Sequence, residues 1–400
     1  MLGFIAGIIP FLIIISVIVS FHEWGHFAVA RLFRTRIERF SVGMGKVLLR
    51  HKDKSGVEWC LSALPVGGYV KFAGDDNLTS MSPSAEDLDA AREAITAREG
   101  ATAVGDYFHF KPLWQRFLII LAGPAANFVL AIAIFTVINL VVGDTRVPAT
   151  VTRIEPGSAA ATAGFQVGDT ILRIDGHGVD DNEDARMLIM LRADTPVKIV
   201  IDRNHQDVTL TATPRRVVLD PTGRDATSTG GQLGVELSGP PVSVRLGPVK
   251  AFELGVRRTW EIVDTNLTYI SRIFTGKENG NQIGGLIGMT KVAGDATVDL
   301  AEAQAPVYVK LINGALVAAQ MTALISVAIG FVNLLPIPPL DGGHLALYLY
   351  QGLTRRTVSA GFQNAVFRIA IVLVIGLMLF AAWNDLNHIG LARFFGGLFS

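Results

Sequence analysis

The sequence predicts a polytopic α-helical membrane protein: four transmembrane helices, a membrane-dipping β-hairpin and one inserted α+β module. Three observations predict it. Half of the 400 residues are hydrophobic and only 18% are charged, with a mean hydropathy of +0.42, a balance typical of membrane proteins. Four apolar runs are long enough to approach a bilayer crossing. Between the second and third of them lies a polar stretch that alternates short strand and helix patterns. The formal net charge of zero offers no basic footprint for nucleic acid, so none is expected as a partner. Cys60 is the single cysteine; this excludes an internal disulfide framework and a Cys-rich metal site, and it reads as a small semi-buried hydrophobe.

The first span occupies residues 1–30. Met1 to Phe21 contains no charged residue, and the helix continues through a polar motif to about Ala30. Ala28-Val29-Ala30 has the look of a signal-peptide cleavage site. The start lacks a positive charge, however, and basic residues follow the run instead, so the segment is an anchor. The second span is Phe117 to Gly143. The third runs from Leu311 to Leu340, closes in a proline cluster and, with the motif that follows, takes in residues 311–345. The fourth, Ile369 to Asn384 within 369–400, is short, and Arg368 must snorkel to lengthen it. Arg31, Arg34, Arg36, Arg39, Lys46, Arg50, Lys52 and Lys54 face only Glu38 and Asp53. The positive-inside rule therefore places residues 31–116 and 346–368 in the cytoplasm and 144–310 outside.

Within 31–116, residues 40–73 read as strand pieces around a polar turn, Lys52 to Gly56, and their apolar character suits a hairpin entering the bilayer. Asp75 to Asp106 reads as a partly helical cytoplasmic loop, and Lys111 to Arg116 as an interfacial belt. In the second span, Asn127 follows the small residues Ala122-Gly123-Pro124-Ala125-Ala126 and is either interhelical glue or part of the active-site surround, with glue the simpler reading. Residues 144–240 form the soluble module, with strands at Val151–Ile154, Thr170–Ile174, Val197–Ile201 and Val208–Leu210 and a helix near Asn182–Leu191. In 241–310, Ala251 to Phe274 has the apolar spacing of an amphipathic helix, and the remainder reads as a connector; Gly284 to Met289 has no evident role.

The chemistry is concentrated at His22-Glu23-Trp24-Gly25-His26. On a helix, residues four apart share a face, so His22 and His26 can reach one metal ion while Glu23 stands beside it as a base for a water. A catalytic zinc site needs a third protein ligand, and no His or Glu follows at the spacing of the soluble metalloproteases. The best donor is Asp341, at the mouth of the turn Asn333-Leu334-Leu335-Pro336-Ile337-Pro338-Pro339-Leu340-Asp341-Gly342-Gly343. An ionisable group at membrane depth points to function, and the topology count puts it on the cytoplasmic side with His22. His344 reads as structural.

Pro156 through Asp169, followed by Asp175-Gly176, resembles the bacterial PDZ pattern. The HExxH motif together with Asn333 through Gly343 resembles the site-2 protease family of intramembrane zinc metalloproteases, and the one PDZ-like module makes the chain similar to its bacterial regulator-of-sigma-E protease branch. Two features depart from that branch: only one PDZ domain is visible, and Leu286 stands where a proline is usual.

The resemblance implies Zn2+ held by His22, His26 and Asp341, with Glu23 as general base. It implies that Asn333 and the strand Gly67, Gly68, Tyr69 and Val70 hold the substrate backbone. The implied activity is regulated cleavage of single-span membrane proteins, such as anti-sigma-factor-like regulators already cut outside, or remnant signal peptides. The implied partners are substrate transmembrane segments, a peptide or C-terminus at the PDZ module, and lipid. The implied location is the bacterial inner membrane, with the module outside and the site near the cytoplasmic face. A non-catalytic PDZ scaffold with structural zinc is the alternative class. A closed structural site would want a fourth protein ligand, and a zinc transporter would want several metal-binding spans.

Overall fold

The computed structural model describes residues 2–74, 85–218, 229–275, 286–356 and 358–389. In chain order it runs α1 (Leu2–Leu32), β1 (Ile37–Lys52), β2 (Glu58–Phe72), α2 (Ala85–Glu99), α3 (Leu113–Val142), β3 (Asp144–Arg146) and β4 (Val151–Ile154). Then follow α4 (Ala159–Ala163), β5 (Thr170–Ile174), β6 (His177–Gly178), α5 (Asn182–Met190), β7 (Val197–Arg203), β8 (Gln206–Ala212) and β9 (Arg215–Val218). The chain continues with β10 (Thr229–Gln232), β11 (Val235–Leu237), β12 (Val242–Val244), α6 (Pro248–Phe274), α7 (Leu286–Glu302), α8 (Val307–Leu334), α9 (Asp341–Thr354) and α10 (Ala360–Ile389). It divides into two compact units.

The first unit comprises residues 1–135, 254–266 and 285–383. Three helical stretches are long and apolar enough to cross a membrane: Ala6–Leu32, Leu113–Val142 and Val307–Leu334. Their outer faces present Ile9, Ile13, Val129, Val137 and Leu311, side chains that water would not tolerate in such numbers and that lipid would. The expected fourth span lies in α10, whose apolar stretch, Gly361–Gly376, is shorter. The third helix stops at Leu334, before the expected Leu340. Pro336, Pro338 and Pro339 lack the N–H a continuing helix needs, so the chain turns and restarts as α9 at Asp341. Much of the expected 346–368 connection is therefore helical.

Another departure is α7. Leu286 to Met289, which have no evident role in the sequence, open a helix, while Gly284 and Gly285 lie outside the described residues. Met289 and Ala293 of α7 pack on Phe11, Ile14 and Ile18 of α1, with Ile325 of α8 completing the cluster. The sequence hid this helix because Lys291, Asp295 and Asp299 line its opposite face and its packed face is short and carries small residues such as Ala293. Between 75 and 106, residues 75–84 are not described, and α2 and a short 3-10 helix at Ala101–Asp106 occupy the rest. Lys111, expected in an interfacial belt, is buried; its Nζ donates to the carbonyl of Phe33 at 2.8 Å and thereby caps the C-terminal end of α1.

The predicted strand pieces of 40–73 form one bent hairpin. Residues 39–42 of β1 lie between two parts of β2: Phe40 is in register with Trp59 on one side and Val70 on the other. The distal part of β1 returns against the same piece of β2, with Arg50 opposite Cys60 and Lys52 opposite Glu58. The segment 68–72 is therefore a sheet edge. Its core is aromatic, with Phe27 of α1 against Phe40 and Trp59 at 5.4 and 5.1 Å between ring centroids. Asp53 closes the turn by accepting from Ser55 N, Val57 N and Trp59 Nε1. Met44, Leu48, Leu49, Leu61 and Leu64 are left exposed near the bend.

The second unit takes in residues 136–253 and 267–284. A four-stranded sheet in the order β6-β5-β7-β8 and a β4–β11 pair enclose Val151, Ile171, Ile174, Val197, Ile199, Ile201 and Leu233. Alternation in β7 sends Val197, Ile199 and Ile201 inward. Ser158 caps α4 by accepting from Ala161 N, and Gly164 ends it in the left-handed region at φ +84°. Asp169 then ties the turn to β7: it is almost wholly buried and accepts from Arg203 Nη2 at 2.7 Å and Gln166 N at 2.7 Å. Burial works against its charge, but these donors hold the carboxyl below the ordinary carboxylate range. Thr229–Gln232 form β10, paired with β9; residues 219–228 are not described.

Candidate active site

Helix α1 delivers His22 and His26 to one face, as their spacing requires. Both rings are buried, and their Nε2 atoms stand 3.2 Å apart. Asp341, the first residue of α9, brings Oδ2 to 3.0 Å from His22 Nε2 and 3.5 Å from His26 Nε2. Its place on the first turn sets the carboxylate at the positive end of the helix dipole. Gly342 and Gly343 make that placement possible. A Cβ at Gly342 would lie 2.1 Å from the Leu335 carbonyl and one at Gly343 2.6 Å from Pro338 Cα, so the proline turn and α9 pack backbone to backbone.

These three groups form the one such cluster of potential metal ligands among the described residues. Four ligand atoms about 2.0–2.1 Å from a tetrahedral zinc lie about 3.3 Å from one another. The separations of 3.0, 3.2 and 3.5 Å match that edge length. Three lone-pair donors this close repel unless a cation sits among them, so the residues fit zinc on chemistry as well as geometry.

The tautomer of His26 follows from its other nitrogen. Nδ1 is 2.8 Å from the carbonyl oxygen of Ile119 in α3. A carbonyl only accepts, so Nδ1 carries the proton and Nε2 turns a lone pair toward the cluster. Helix α3 also supplies room. A Cβ at Gly123 would stand 2.3 Å from His26 Nε2 and 2.9 Å from His22 Nε2. Any side chain there would occupy the space in front of both ligand atoms.

Glu23 projects beside this group, and its Oε2 accepts from the Val70 backbone N–H at 3.0 Å. That N–H lies on the 68–72 sheet edge. Gly68 is next to it, with space for a Cβ closed off by Ser41 O at 2.7 Å and by Glu23 Cγ at 3.5 Å. Gly67 is bent back at φ +93°, and Tyr69 accepts at its hydroxyl from Arg39 Nη1 at 3.1 Å. The structure thus brings His22, His26, Asp341, Glu23 and Val70 together. Asn333, on the last turn of α8, makes no hydrogen bond to the metal-ligand group among the described residues. Asn127 is wholly buried and reaches His22 Nδ1 at 3.2 Å. Of the two readings open to it from the sequence, both are met: its main chain ties α3 to α8 and its amide reaches the histidine cluster. The Ile119 carbonyl and the Val70 N–H carry no sequence signal, because every residue has them.

The second unit has a groove of about 550 Å³ between α5 and β11, lined by Asn182, Arg186, Ile189, Met190, Leu233 and Val235.

A membrane protein that converges His, His and Asp from two helices, with a glutamate at their side, has the construction of a zinc-dependent peptidase set among apolar helices. Comparison with known proteins agrees. The model of peptidase family M50 matches residues 10–377, and the chain belongs to that family. It is 43% identical to the metalloprotease MmpA of Caulobacter vibrioides over the full length of both chains. It is 35% identical to Atu1380, a candidate zinc metalloprotease of Agrobacterium fabrum, with 97% of each chain covered, and 31% identical to a similarly designated protein, Cj1068, of Campylobacter jejuni, covering 94% of this chain and 92% of that one. This chain is accordingly a zinc metalloprotease of the membrane.

Proposed function

We propose that the protein is an intramembrane endopeptidase that cuts single-span membrane proteins within or beside their transmembrane segments. One observation carries this reading: the His22–His26–Asp341 group and Glu23 meet among apolar helices, beside the 68–72 sheet edge. His22, His26 and Asp341 would hold the zinc ion. When bound, zinc polarises a water and the scissile carbonyl as a Lewis acid. Glu23 takes the proton from that water and passes it to the leaving amine. The Val70 N–H would hold the Glu23 carboxylate in place for that transfer.

A transmembrane helix hides its carbonyls in its own hydrogen bonds, so the substrate must unwind before attack. The 68–72 edge, with Gly67, Gly68, Tyr69 and Val70, offers strand addition to the unwound segment. Asn333 is assigned a supporting role at the substrate backbone. In the second unit, the strand order and the α5–β11 groove suit a PDZ domain that takes an extended peptide or free C-terminus along β11. The lysine and arginine distribution supports the bacterial inner membrane, with this domain outside, the site near the cytoplasmic face, and α10 as a fourth span. Membrane-anchored regulators trimmed outside, anti-sigma-factor-like proteins and remnant signal peptides are the substrate class. The scaffold reading is weaker, because a closed structural zinc site wants four protein ligands and the described group has three.

Glu23→Gln tests the proposal with a reconstituted single-span substrate. Cleavage should fall by about 10²–10⁴-fold, the range for loss of a general base, while zinc content stays at one ion per chain. Retained cleavage refutes the assignment.

A further inference from the structure

Asn127 is the one polar side chain that meets the proposed ligand histidines from α3, and it is held rigidly. Its main-chain oxygen accepts from Ser326 Oγ on α8 at 2.9 Å, and both residues are wholly buried. On the same side, Gly330 presses close enough that a Cβ there would sit 3.1 Å from Asn127 Cβ. The amide nitrogen faces His22 Nδ1 at 3.2 Å, while Oδ1 is buried and reached by no hydrogen-bond donor among the described residues. A buried amide with its oxygen idle is costly. Half a turn about the last side-chain bond exchanges oxygen and nitrogen without altering its shape.

The histidine chemistry selects between the two orientations. If His22 gives Nε2 to zinc, its Nδ1 must carry the proton and needs an acceptor. Helix α3 already provides one for His26, the Ile119 carbonyl. We infer that Asn127 is the positioning residue for His22: in the zinc-loaded protein its side-chain carbonyl oxygen accepts from His22 Nδ1–H, fixing the tautomer and ring orientation that leave Nε2 for the metal. Helix α3 then orients both histidines, one by its backbone and the other by Asn127. This inference rests on the proposed metal site.

The test is zinc affinity of the full-length purified protein, measured by competition with a chromogenic chelator. Asn127→Leu keeps the volume and removes the acceptor, and should weaken zinc binding about 10–100-fold. Asn127→Asp keeps an acceptor and should stay within about threefold of wild type. Wild-type affinity in Asn127→Leu, or an equal loss in Asn127→Asp and Asn127→Leu, overturns the proposal. A His22→Ala variant separates the two readings: if it loses zinc while Asn127→Leu does not, only the role of Asn127 fails. If it keeps zinc, the metal site itself fails. Nitrogen-15 histidine NMR of the zinc-loaded wild type needs no variant; a His22 proton on Nδ1 supports the inference, and its absence there overturns it.

Discussion

Replacing Gly123 with alanine sets two effects of opposite sign against each other. In an exposed or lipid-facing helix the change would stabilise by about 0.5–1 kcal/mol, because glycine loses more chain entropy on folding. Here the new methyl would lie 2.3 Å from His26 Nε2, 2.4 Å from His26 Cε1 and 2.9 Å from His22 Nε2. Non-bonded carbon and nitrogen need about 3.4 Å or more. Relative to the 2.3 Å contact with His26, that ring or α3 must give by about 1 Å. Zinc sites tolerate displacements of about 0.2 Å in ligand distance. The histidine must therefore leave the coordination geometry, and zinc affinity should fall by more than about 100-fold, or about 2.7 kcal/mol. Zinc titration against a chelator reads this loss, and a thermal melt of the zinc-free protein separates it from helix stability. The zinc-free variant should show the helix gain offset by the strain of the displaced ring, while the zinc-loaded variant should in addition lose the stabilisation that bound metal confers. Zinc binding within threefold of wild type would refute the placement of the ligand atoms against Gly123.

Three further changes probe other links. Asp341→Ala leaves two histidines and should weaken zinc more than about 100-fold; unchanged affinity in the same titration removes Asp341 from the ligand set. Val70→Pro deletes the N–H that Glu23 accepts from, at a sheet edge where proline is tolerated. A hydrogen bond to a carboxylate is worth about 1.5–3 kcal/mol, so kcat should drop about 10–100-fold at constant zinc content; an unchanged kcat denies that Val70 orients Glu23. In the second unit, Asp169→Ala removes the buried carboxylate that pairs with half-buried Arg203 and should cost about 1.5–3 kcal/mol at pH 7, read by thermal or chemical unfolding. The Asp169 carboxyl is held below its ordinary range, so its stabilising effect is complete above about pH 4, the unfolded value, and is lost as pH falls through the lower folded value. The gap between wild type and variant should shrink only in that acid window; a gap independent of pH refutes the charged pairing.

What the linear chain settled by itself were the features built from local periodicity. A long uncharged run had to become an apolar helix of membrane-crossing length, and two histidines four apart must share a helical face. Pro336, Pro338 and Pro339 had to stop a helix, and the alternation in β7 had to bury Val197, Ile199 and Ile201. Even the distant Asp341 was legible, because an acid among apolar residues stands out. The sequence left other features open, since they depend on which backbones approach one another. Helix α7 went unread because its face is completed by Phe11, Ile14 and Ile18, more than two hundred residues earlier in the chain. The empty space at Gly123, the Ile119 carbonyl that sets the His26 tautomer and the Val70 N–H that holds Glu23 are properties of close packing and of backbone atoms common to every residue. No residue type announces them. The members of the His22–His26–Asp341 cluster could be read from side-chain chemistry; the protons, orientation and room around them were decided by the tertiary structure.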